Sequence, residues 1–450
     1  MAGVAALAAE PAAAPTYHIL HSFGASSTDG QLPHSAMITD AKGNLFGTTL
    51  YGGSNFVAFG GAGTVFELSP PAATGGTWKE TVLYSFGATN GDATVPWAGL
   101  IMDAKGNFYG TTFNGGIYHT CINGSYCGAA FELSPPTKIG GAWTETILHS
   151  FGASNTDGRQ PQTSLIRDTH GNLYGTTPTG GANCVPSGGC GTAFKLSPPV
   201  KTGGTWTETV LHSFGASAAD GQSPLASLIM DAKGNLYGTT QSGGAHNNVA
   251  NGGGGTIFEL SPPATADGTW NEKILYSFGA NITDARFPSG NLIFDAKGNL
   301  YGTTGSGGSH CAAYDPCGTA FELSPPEKPG GAWKETLLYS FGSTRADGTS
   351  PPAGLIFDAK GNLYGTANGG ALGCTGGCGV VFELSPAKKP GEVWSETLLH
   401  SFEASKTDGN SPAGGLVIDA KGNLYGTTRQ GGANSPCLSE ACGTVFELSP

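Results

Sequence analysis

A seven-bladed β-propeller of four-stranded blades is the fold this sequence predicts, and three observations predict it. A unit of about 63 residues recurs seven times along the 450-residue chain. Each unit carries the same three apolar phrases in the same order. The chain begins with the last strand of a unit and ends one strand short of completing another. A fixed period of this length, filled with short strands and turn residues, is the signature of a radial repeat.

The phrases locate the strands. GNLYGTT or a close variant starts at Gly43, Gly106, Gly171, Gly234, Gly298, Gly361 and Gly422. F-[EK]-L-S-P starts at Phe66, Phe131, Phe194, Phe258, Phe321, Phe382 and Phe446. [HY]SF starts at His21, Tyr84, His149, His212, Tyr276, Tyr339 and His400. In the fourth repeat, strand A is expected at 226–230, before the tight turn Asp231-Ala-Lys-Gly-Asn235. Strand B follows at 236–240, strand C at 256–260, and strand D at about 270–278. In D, Trp270, Glu272, Ile274, Tyr276 and Phe278 alternate as a half-buried outer strand would. Residues 17–23 form a lone strand D and 443–448 a lone strand C. The N-terminal strand is therefore expected to complete the last blade and close the ring without an exposed edge. Losing residues 1–24 should cost far more than losing a tail.

Composition agrees with one closed ring over 16–450. Gly at 75 and Pro at 28 of 450 would raise disorder in an aperiodic chain; here they punctuate strands. A net charge of −12 with only 12% charged residues leaves no basic stripe for phosphates, so nucleic acid is excluded as a partner. No apolar run reaches 18 residues, so no transmembrane segment is expected. Residues 1–15 lie outside the repeat. Their small-residue composition reads as a leader remnant, or as a disordered tail. The ring is expected to be a monomer that needs no cofactor and no metal.

Ten cysteines fall into five local pairs: Cys121/Cys127, Cys184/Cys190, Cys311/Cys317, Cys374/Cys378 and Cys437/Cys442. Each pair lies between strands B and C of its own repeat. This reads as five loop disulfides in an oxidising compartment, extracellular or periplasmic. Two thiolates on one loop make only half a zinc site. So short a loop gains little closure entropy, and the bonds mainly fix loop shape.

The A–B turns and C–D returns are uniform, whereas the D–A and B–C loops vary and share one face. Binding residues are expected on that loop face, around the central channel. Every D–A loop carries an acid, Asp29, Asp92, Asp157, Asp220, Asp284, Asp347 or Asp408. Seven carboxylates could ring a cation, but an Asp before Gly is an ordinary turn former, and identity in every blade marks scaffold. His alternating with Tyr in [HY]SF marks a strand position. Subtracting the repeat from itself leaves the asymmetric residues. The residue after the loop proline is His34, Trp97, Gln162, Leu225, Ser289, Pro352 and Ala413 in turn. Arg159, Arg286, Asn291 and His119 also depart from their counterparts. The candidate ligand site is therefore His34, Trp97, His119, Arg159, Gln162, Arg286 and Asn291. Aromatic rings beside Arg, Gln and His suit a sugar or an acidic sugar. No nucleophile elbow, zinc-protease motif, P-loop or dinucleotide fingerprint is present.

The consensus SFG…DG-x-x-P…GLI-x-DAKGNLYGTT…FELSPP resembles the GloVer repeat family, named for Gloeobacter and Verrucomicrobia, over nearly all of 17–450. The resemblance implies an exported bacterial propeller, often surface-anchored in other members; no anchor is expected after Pro450. It implies no defined activity and no catalytic residues. The turn D-x-x-G-N-L-Y is also similar to that of lyase and lactonase propellers, at the level of fold. Two functions remain open: a secreted binding or scaffold propeller facing a glycan or an extracellular protein, and a glycoside hydrolase or polysaccharide lyase working at the channel mouth.

Overall fold

Seven small antiparallel sheets arranged in a ring make up the computed structural model of this chain. It describes residues 15–55, 61–73, 75–118, 127–138, 140–183, 189–201, 203–246, 253–265, 268–281, 283–310, 317–371, 377–389, 392–403, 407–434 and 442–450. Regular structure among these residues is all strand. No helix is long and apolar enough to cross a membrane. The leader reading for 1–15 lies almost wholly outside the described residues.

Blade 4 shows the pattern. Strand A is Ile229–Met230, B is Leu236–Thr240, C is Thr256–Ser261 and D is Asn271–Ser277, paired in that order. Strand A is shorter than its sequence implies. Ala226 and Ser227 turn toward the channel, and their backbone groups bond to Thr176 and Asn291 instead of a ladder partner. The alternation expected in D breaks at a bulge between Ile274 and Tyr276. Leu275, squeezed out of the ladder, turns inward and is buried.

The ring closes as its termini imply. Thr16–Ser22 pairs antiparallel with Thr444–Ser449, so blade 7 takes strands A to C from the C-terminus and D from the N-terminus. The pairing satisfies backbone groups that would otherwise line two open edges.

Between blades, the phenylalanine that ends strand D meets the strand C phenylalanine of the next blade. The seven pairs, from Phe23/Phe66 to Phe402/Phe446, have centroids 4.9–5.4 Å apart. Such offset or edge contacts add about 0.5–1.5 kcal/mol each beyond area burial. A strand B glycine lies beneath each ring; a Cβ on Gly238 would stand 2.6 Å from Phe258 Cζ.

A second repeating contact joins each strand D to its neighbour. His21, Asp29 and Glu80 meet at the junction of blades 7 and 1. His149/Asp157/Glu208 and His212/Asp220/Glu272 repeat it. Tyr84 and Tyr339 take the His place beside Glu145 and Glu396. Each loop acid also accepts a turn N–H, as Asp220 does from Ala216 at 2.8 Å. At the junction of blades 6 and 7 the Glu place falls to Tyr17, which stacks on His400 at 3.8 Å. The three His groups bring nitrogen and carboxylate oxygens within 4.8 Å of one another, a spacing compatible with a metal ion. Tyr in the same place at other junctions marks the unit as an inter-blade clasp.

Candidate functional site at the channel mouth

All seven residues that follow the loop proline line one cavity of about 230 Å³ at the loop-face end of the channel. His34, Trp97 and Gln162 stand on consecutive blades. Leu225, Ser289, Pro352 and Ala413 complete the rim. A deeper tier of Ala36, Gly99, Ser164, Ser227, Asn291, Gly354 and Gly415 narrows the channel.

The rim is held from behind by hydrogen bonds between blades. In six blades the first threonine of the GTT phrase donates its hydroxyl to the carbonyl one residue past the next blade's rim position; Thr239 of blade 4 does not. Thr48 to Ala98, Thr111 to Thr163 and Thr427 to Ser35 span 3.0–3.2 Å. The residue before each loop proline then adopts a left-handed conformation although none is glycine: Leu32, Val95, Gln160, Ser223, Phe287, Ser350 and Ser411 have φ of 50–58°. That conformation costs about 1 kcal/mol or more per residue. It persists because each N–H is taken by a carbonyl of the preceding blade, at Cys442, Ala62, Cys127, Cys190, Gly254, Cys317 and Cys378. Five of these seven acceptors are the cysteines closing the B–C loops. The loop that a disulfide would fix therefore holds the strained residue two positions before the rim. None of the described cysteines is free; Cys121, Cys184, Cys311, Cys374 and Cys437 lie outside the described residues.

The rim's chemistry is uneven. His34 and Trp97 pack with centroids 4.6 Å apart, and Phe113 extends this wall 5.6 Å from Trp97. Burial, helped by the nearby Arg429 charge and partly opposed by the Trp97 backbone, holds His34 down at about 4. Its imidazole is neutral at neutral pH. Arg429 follows Thr427 by two on strand B of blade 7, so it leaves the strand on the same side, toward blade 1 and its rim residue His34. Its Nε is buried without a hydrogen-bond partner among the described residues. Blades 4 to 6 continue the mouth as a more open depression of about 310 Å³, which shares Ser289 and Pro352 with the cavity and adds Gln241, Ser306 and Asn368. Asn368 Oδ1 is likewise buried without a partner among the described residues.

The structure thus brings His34, Trp97, Gln162 and Asn291 together. Asn291 is already engaged in part, accepting the Ser227 N–H at 2.8 Å. Arg159 and Arg286 line neither part of the mouth. They pair with the end of strand B, at Thr179 and Ser306. Arg286 is buried, and its guanidinium donates to the Asn281 carbonyl at 2.7 Å, which ties its own loop. His119 lies outside the described residues. Phe113 and Arg429, which the sequence reading missed, line neither part themselves but stand behind the rim, Phe113 against Trp97 and Arg429 near His34; comparing the residue after GTT between blades (Leu50, Phe113, Pro178, Gln241, Gly305, Asn368, Arg429) finds both.

No curated protein matches the chain. Among solved structures it is similar to a polysaccharide lyase of family PL25, an ulvan lyase, at 11% identity over 96% of this chain and 95% of that one, with a TM-score of 0.48. It is similar to a putative oxidoreductase (glucose dehydrogenase) of Thermus thermophilus at 15% identity, over 80% and 98% of the chains, with a TM-score of 0.40. It is similar to PorZ, a surface component of the type-IX secretion system of Porphyromonas gingivalis, at 15% identity over 92% of this chain and 46% of that one, with a TM-score of 0.45. No residue role is carried over from these. The Gloeobacter/Verrucomicrobia repeat matches in tandem over residues 9–250, 115–329 and 313–450, and the chain belongs to that repeat family.

Proposed function

We propose that this chain is an exported, monomeric binding propeller whose channel mouth holds a saccharide bearing an acidic group. One observation carries the reading. The rim position that differs in every blade forms a single cavity, with its aromatic and polar members on adjacent blades. Trp97, backed by Phe113, offers a face for a sugar's apolar side. Gln162, Gln241 and Asn368 offer hydroxyl partners, and Arg429 offers a carboxylate partner. The rim tied to five cysteine loops keeps these groups in place, which favours binding through preorganisation. Five pairs of cysteines on short loops support export to an oxidising compartment.

The enzyme reading has weaker support. A lyase or hydrolase working near neutrality needs a base with a value near the working pH. His34, held at about 4, is poorly matched to that task. A glycan array followed by calorimetry tests the proposal. Acidic oligosaccharides should bind, Trp97→Ala should weaken binding at least about ten-fold, and Arg429→Gln should remove the preference for acidic over neutral sugars. New reducing ends or unsaturated products in the same mixtures would instead establish the enzyme.

A further inference from the structure

The opposite face carries a second departure from sevenfold symmetry. In six blades the strand C phrase places a glutamate, Glu67, Glu132, Glu259, Glu322, Glu383 or Glu447, whose carboxylate accepts the nearby serine hydroxyl at 2.9–3.3 Å. Blade 3 has Lys195 there. At the end of strand A the other blades have Thr39, Met102, Met230, Phe294, Phe357 and Ile418, and blade 3 has Arg167. The two departures converge. Arg167 and Lys195 line one groove of about 970 Å³ between blades 3 and 4, with His170, Lys233 and Trp270.

Relative to the other blades, these two exchanges replace one negative charge and one neutral group by two positive charges, on a chain of net charge −12. No ion pair neutralises Arg167, Lys195 or Lys233 among the described residues. Two acids share the groove, Asp168 and Asp231, and both are occupied by their own turns. Asp168 accepts the His170 and Asn172 N–H groups, the Asn172 amide and the Tyr174 hydroxyl at 2.7–3.1 Å. Asp231 does the same in blade 4. Lys195 lies between Tyr174 and Thr209 on neighbouring strands, and all three line the groove.

We propose that this groove is a second binding site, separate from the channel mouth, that takes an anionic polysaccharide along the boundary of blades 3 and 4. The spaced cations match sulfate or carboxylate groups repeated along a chain, and Trp270 walls the groove for sugar rings. Affinity electrophoresis in dextran sulfate, against uncharged dextran, tests it with the full chain. Wild-type protein should be slowed by dextran sulfate alone, despite its negative charge. Lys195→Glu restores the residue of the other six blades and should weaken retardation about ten-fold. Lys334→Glu, an equal charge change on the exposed edge of blade 5, should leave it nearly unchanged. Equal loss with Lys195→Glu and Lys334→Glu would reduce the effect to net charge and overturn the site. Retardation untouched by Lys195→Glu but lost with Trp97→Ala would assign the binding to the mouth and overturn the groove, and no retardation of wild type would overturn the proposal as well.

Discussion

Single residues in this molecule do one of two jobs, and sevenfold comparison separates them. Gly238 belongs to the scaffold: its missing Cβ admits the Phe258 ring. Gly238→Ala should destabilise by about 1–3 kcal/mol, the range for overpacking, read as a lower urea midpoint at unchanged slope. His310 is another unusual side chain of a B–C loop, yet its ring bonds the Ser340 carbonyl at 2.9 Å, as Asn183 bonds that of Ser213. It too is scaffold. His34, Trp97 and Gln162 pass the same comparison because their position varies while its backbone does not. Arg159 and Arg286 passed it in sequence and fail in space, since a one-chain comparison finds the unusual side chain without its direction. The left-handed residue before each proline was not legible at all. Leu, Val, Gln, Ser and Phe occupy it, and none announces positive φ.

At the level of elements, strand order and ring closure were readable because each strand is an apolar phrase bounded by turn residues. Strand ends were less so. Ala226 and Ser227 read as strand but bond to Thr176 and Asn291 instead, Leu228 packs in the core, and the D-strand bulge has no mark in the alternation. The closing strand makes a direct prediction. Removing residues 15–22 would leave Thr444–Ser449 unpaired on one edge and expose Phe446 and Val445. The truncated protein should unfold at a much lower temperature and associate, and adding a peptide of sequence 15–23 should restore monomer on a sizing column. A truncation as stable as the full chain would refute closure by this strand.

Across the whole molecule the clasps set a pH dependence. Burial, then the charge of the partner aspartate, raises Glu80, Glu208 and Glu335 to about 7. Burial and the Asp347 charge raise Glu396 to about 8; burial and the Asp92 hydrogen bond raise Glu145 to about 10. A raised carboxyl contributes its stability in full below its unfolded value of 4.5 and loses it as pH rises through the folded value. His149 and His212 act in the same sense. Burial lowers them, but hydrogen bonds to Asp157 and Asp220 and the neighbouring charges outweigh it and raise them. Asp220 and Asp408, lowered by His and backbone hydrogen bonds against the opposing effect of burial, contribute above the aspartate range. Thermal stability should therefore peak near pH 5 and fall by several degrees by pH 8. Glu145→Gln, which keeps the shape of the protonated acid, should reduce that fall.

Sevenfold regularity that fixes the ring also leaves a few residues free to differ, and the account rests on their meeting at the channel mouth. A crystal structure of the protein soaked with tetragalacturonate tests this most directly. A sugar ring should lie against Trp97 with its carboxylate turned to Arg429. A ligand seated away from His34, Trp97 and Gln162 in well-formed crystals with an open mouth would contradict it.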